Sequence, residues 1–104
     1  DICYINDMVK IVFQGILMNY SGILNVGSED SLTRYDFALS IAKIFNFNIN
    51  LIEPVSTAYL QENMDSYIAK RPLDNTLIVD KMENELNITS SLTNYNLKLI
   101  KQNI

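Results

Sequence analysis

Histidine is absent from the 104 residues, so the chemistry open to this chain rests on carboxylates, tyrosines, one thiol and a pair of adjacent cations. Without an imidazole, Ser-His-Asp and Cys-His nucleophile systems lose their general base, and the common zinc ligand sets lose a member. Carboxylates stand close in sequence at Glu29-Asp30, at Glu62 and Asp65, and at Glu83 and Glu85. A pair doing acid–base work needs burial or mutual coupling to separate its two pKa values. In polar surroundings these residues read instead as solvated or helix-end carboxylates, with Glu29-Asp30 placed just ahead of a helix whose positive end favours acid. None is assigned to catalysis. The six tyrosines act as acids near neutral pH only beside a cation that lowers their pKa.

The clearest binding chemistry lies in Lys70-Arg71-Pro72. The residue before a proline is pushed out of the helical region, so Arg71 is expected on extended backbone. A guanidinium held there can grip phosphate oxygens through two parallel, charge-assisted hydrogen bonds, and Lys70 can add a second positive charge. Arg71 can equally pair with a carboxylate such as Asp74 or cap the end of a helix, and both readings stand at this point. A glycine-rich phosphate loop is missing: Gly15, Gly22 and Gly27 form neither a Gly-x-Gly-x-x-Gly nor a Gly-x-x-x-x-Gly-Lys-Ser/Thr turn.

The elements that must position these groups follow from periodicity. Ile2 to Ile5 alternate like the end of a strand. Val9, Val12, Phe13, Ile16, Leu17 and Tyr20 then recur at offsets of three and four, which predicts one apolar helix face, with Asp7 as its N-cap and Ser21-Gly22 supplying the left-handed stop near Asn19. Residues 23–26 read as a short buried strand in which the amide of Asn25 must find partners. Thr33 and Asp36 form a capping box ahead of a second helix, whose apolar residues are Phe37, Ala38, Ile41, Ala42, Ile44 and Phe45; Tyr35 and Phe37 are expected to pack. Residues 49–52 read as a second strand before Pro54. Residues 56–69 are weakly patterned, with a short helix over 59–65 and an irregular loop as the two options. An apolar run at 77–79 precedes a short helix capped by Asp80. A last helix over 91–102 should bury Leu92, Tyr95, Leu99 and Ile100. The expected fold class is α/β, a mixed lobe of two or three short strands and about four helices.

Size and composition narrow the function classes. A chain of 104 residues with 48% apolar side chains is sized for one core and one domain over 1–104. Its net charge of −4 and lack of a basic stripe argue against nucleic acid as a partner. No apolar run reaches the roughly 20 residues of a membrane span, and the single Cys3 fits a reducing compartment; the chain reads as cytoplasmic, with no membrane partner. The abrupt apolar start after Asp1 reads as a fragment of a longer chain.

Three segments, taken in order, carry a resemblance. Tyr4-Ile5-Asn6-Asp7-Met8-Val9 is similar to the Tyr-Val-x-Asp-Leu-Ala element found late in extended short-chain dehydrogenases/reductases. Gly22-Ile23-Leu24-Asn25-Val26-Gly27, with the later Ser31-Leu32-Thr33-Arg34-Tyr35-Asp36-Phe37-Ala38, resembles that family's Gly-x-Tyr-Asn-Val-Gly strand and its following helix. Ala69-Lys70-Arg71-Pro72-Leu73-Asp74-Asn75-Thr76-Leu77, with Lys81 beyond it, resembles the Arg-Pro-x-Asn-Ser-x-Leu-Asp-x-x-Lys signature of the dTDP-4-dehydrorhamnose reductase branch. Asn75 stands where that branch has Ser, and Ile78 where it has Asp; both departures bear on the exact substrate. Tyr67 lies three residues before Lys70, whereas the family's Tyr-x-x-x-Lys pair is four apart, so the two do not match it.

The resemblance implies a parent enzyme whose missing N-terminal Rossmann domain binds NADPH or NADH and whose C-terminal lobe, this chain, closes over a nucleotide-diphosphate sugar. It implies reduction of the 4-keto group of a dTDP-6-deoxy sugar on the way to dTDP-L-rhamnose. Substrate contacts fall to Arg71 and Lys70, with no catalytic residue, cofactor contact or metal ligand in this stretch, and with a homodimer left open. Without its Rossmann domain the chain should expose apolar surface. Two other functions compete: a non-catalytic relative similar to the methionine adenosyltransferase beta subunit, and a free-standing α/β interaction module.

Overall fold

The computed structural model describes residues 2–64, 69 and 72–104. Among these described residues five helices follow one another: α1 (Ile5–Leu17), α2 (Arg34–Phe45), α3 (Thr57–Asn63), α4 (Asp80–Leu86) and α5 (Thr93–Gln102), with one 3-10 turn at Ile49–Leu51. No strand occurs among the described residues, which overturns the α/β expectation; there the fold is helical.

The reason lies in the missing ladder. A strand exists through repeated backbone pairing with a neighbour. Residues 23–28 do run without helical turns, and Ser28 N–H donates to the Ile2 carbonyl at 2.9 Å, yet the two stretches do not register as a ladder. The carbonyl of Ile23 accepts instead from the ammonium of Lys81 at 2.9 Å. Asn25 is exposed, so its amide is not the buried brace that an apolar strand would require. At Ile49–Leu51, Asn48 Oδ1 accepts the N–H of Asn50 at 3.0 Å and Ile52 N–H returns to the Ile49 carbonyl. That local closure curls the second apolar run into a turn.

The core is small and lies between α1 and α4. Ile11, Val79, Met82 and Leu86 form it, with Tyr20, Leu24, Val26 and Ile88 packed around them. Ile11 is 2% exposed and Met82 0%, and full burial of a side chain of this size contributes about 1.5–3 kcal/mol. α1 approaches α4 along Ile11 and Gln14, and Gln14 Nε2 reaches the Leu86 carbonyl at 3.3 Å; Asp7, one turn earlier on the same stripe, meets Ser91 beyond α4. The apolar stripe of the sequence therefore faces outward: Val9, Val12, Phe13, Ile16 and Leu17 are 53–67% exposed.

Helix ends use asparagine. Asn19, Asn46 and Asn87 all hold positive φ, at 51°, 59° and 53°, a conformation asparagine tolerates better than most residues. The stop of α1 thus falls to Asn19, with Tyr20 N–H on the Gly15 carbonyl at 2.9 Å, ahead of Gly22, which also has positive φ. The Thr33 cap is as expected: its hydroxyl accepts the Asp36 N–H at 3.0 Å. Two other caps differ. α1 begins at Ile5, so Asp7 sits inside the first turn, and α4 begins at Asp80 itself after Val79.

Candidate substrate-facing segment

Lys70 and Arg71, the two residues expected to bind substrate, lie outside the described residues, as do Asp65 and Tyr67. What the structure describes is the segment that follows them. From Pro72 to Ile78 the backbone is free of helix and strand, and Leu73 and Ile78 are strongly exposed. Asp74 closes a local turn: its Oδ1 accepts from Thr76 N–H at 2.9 Å and from Thr76 Oγ1 at 2.6 Å. These bonds, the hydroxyl's first, hold the Asp74 carboxyl below its ordinary pKa, since each favours the charged form.

Thr76 also meets Ser31, Oγ to Oγ1 at 2.9 Å. The hydroxyl proton of Thr76 is already directed at Asp74, so Ser31 is the donor in this pair. One step along the chain, Lys81 closes a second link to the same loop. Its ammonium donates to the Ile23 carbonyl and lies 5.7 Å from the centre of the Tyr20 ring, within the range of a cation–π contact. The Tyr20 hydroxyl donates to that carbonyl as well, at 3.3 Å. Lys81 is held above the ordinary lysine pKa, first by hydrogen bonding to the Tyr20 hydroxyl, and stays cationic at neutral pH. This is a tyrosine with a cation beside it, but both groups are engaged on a backbone carbonyl, so the arrangement clasps two loops. Sequence spacing gave no signal for it, because Tyr20 and Lys81 belong to distant elements.

A buried carboxylate, Asp7, and a half-buried one, Asp30, serve the start of α5. Leu92 at its N-cap position offers no side-chain acceptor, so the orphan donors of the first turn are met from elsewhere. Asp30 Oδ1 accepts Thr93 N–H at 3.1 Å and Thr93 Oγ1 at 2.9 Å. Asp7, 6% exposed, accepts Ser91 N–H at 2.9 Å and Ser91 Oγ at 3.3 Å. The acidic loop therefore serves the start of α5 rather than that of α2. The hold on Thr93 also sets the rotation of α5: Thr93, Asn96 and Leu97 are buried, whereas Leu92 and Tyr95, expected inside, are exposed. At the other end, Lys101 Nζ donates to the Ile44 carbonyl at 2.6 Å and satisfies a last-turn acceptor of α2.

Phe37 borders an apolar pocket of about 330 Å³ together with Cys3, Leu97 and Ile100. Burial, and then the charge of Asp7, push the Cys3 thiol above its ordinary pKa, which disfavours the nucleophilic thiolate. Among the described residues no group of three or more Cys, Asp or Glu is placed to hold a metal ion, and no helix is long and apolar enough to cross a membrane. Gly15 lies within α1, and Gly22 and Gly27 lie in the loop after it. Comparison of the chain with protein-family models, with curated proteins and with solved structures found no match in any of the three.

Proposed function

We propose that this chain is the substrate-contacting part of an NAD(P)H-dependent reductase acting on a dTDP-6-deoxy-4-keto sugar, within a longer protein that supplies the nucleotide-binding domain. The observation that carries the reading is the convergence of the three segments on which the resemblance rests. Lys81 on the Ile23 carbonyl and Ser31 on Thr76 tie the second segment to the third. Ile11, just after the first, shares a core with Val79 and Met82, which flank the third. The irregular stretch that follows Arg71 is thereby anchored at Thr76 and Lys81, and in this reading the cations preceding it meet a diphosphate. In this reading NADPH or NADH would be held by the companion domain, because this chain carries no pyrophosphate turn.

The test is calorimetric titration of the parent protein with dTDP-rhamnose. Arg71→Ala is expected to weaken binding by about 1.5–3 kcal/mol, the range for a hydrogen bond to a charged group; unchanged affinity would reject the phosphate role. Oxidation of NADPH by the parent in the presence of the 4-keto sugar nucleotide tests the reductase activity directly.

A second reading, a regulatory relative without catalysis, would use for subunit association the apolar face that the first reading leaves to the companion domain. The outward face of α1 presents Val9, Val12, Phe13, Ile16 and Leu17 together, and contiguous apolar surface of this kind marks association with another protein surface. Sugar-nucleotide binding without turnover of NADPH would favour this second reading over the first.

A further inference from the structure

We draw no further inference here: the strongest candidate, the apolar pocket between the 2–5 segment and helices α2 and α5, is an unpartnered apolar surface, and nothing in the structure shows what fills it.

Discussion

The α1–α4 core and the polar junction at the start of α5 hold the molecule by opposite means. In the core, four buried apolar side chains exclude water and carry no directional demand. At the junction, Asp7 and Asp30 reach across 84 and 63 residues of sequence to supply acceptors to Ser91 and Thr93. The core fixes how close the helices lie; the junction fixes which way α5 is turned. A hydrophobic contact tolerates rotation of a helix about its axis, whereas a carboxylate on a first-turn N–H does not.

The comparison breaks most sharply at Met82. Met82→Ala removes a fully buried side chain, and chemical denaturation should show a loss of about 2–5 kcal/mol, the range for truncation of large core residues to alanine. A loss under about 1 kcal/mol would mean that the small core is not what stabilises the fold.

Next in size is the junction. Asp7→Ala leaves the Ser91 N–H without its acceptor and should cost about 1.5–3 kcal/mol, with Asp7→Asn recovering part because an amide oxygen still accepts. If Asn is no better than Ala in denaturation midpoints, the carboxylate acts through charge at the helix end and not through the hydrogen bond.

The outer face of α1 should behave unlike either region. Phe13→Ser removes no buried contact, so stability should change by no more than about 0.5 kcal/mol, while binding of a hydrophobic dye by the chain falls. A large destabilisation would show that this face is covered in solution.

The smallest effect concerns pH. Because the folded thiol of Cys3 has a raised pKa, folding favours its protonated form. The sign follows: this contribution is present below the ordinary thiol pKa and is lost as pH rises through the folded value. Stability should therefore decline slightly at alkaline pH in the native chain and less in Cys3→Ala, and alkylation of Cys3 at neutral pH should be slower folded than in urea.

Local signals in the sequence were legible where the chain could satisfy them alone. The Thr33–Asp36 cap and the helices near 80–86 and 93–102 depend on bonds within a few residues, and spacing reveals such bonds. The site was less legible: the Asp74–Thr76 turn is local, but the clasp of Lys81, Tyr20 and Ile23 is not, and Lys70 and Arg71 fall outside the described residues.

What the sequence determined by itself is that helices lie over α1, α2, α4 and α5 and that Thr33 caps α2, since capping and periodicity act through near neighbours. The starts of α1, α4 and α5 were not set by the caps that spacing suggested. Tertiary structure decided that 23–26 form no strand, because a strand needs a partner that no local pattern supplies, whereas at 49–52 the local Asn48 closure decided it. Tertiary structure also decided which faces turn inward. On α1 Ile11 and Gln14 lie against α4 and the more apolar stripe lies outside, while on α5 a carboxylate from a distant loop sets the rotation. Hydrophobicity announces that a face needs covering, but the contacts that cover it are set by where the other elements stand.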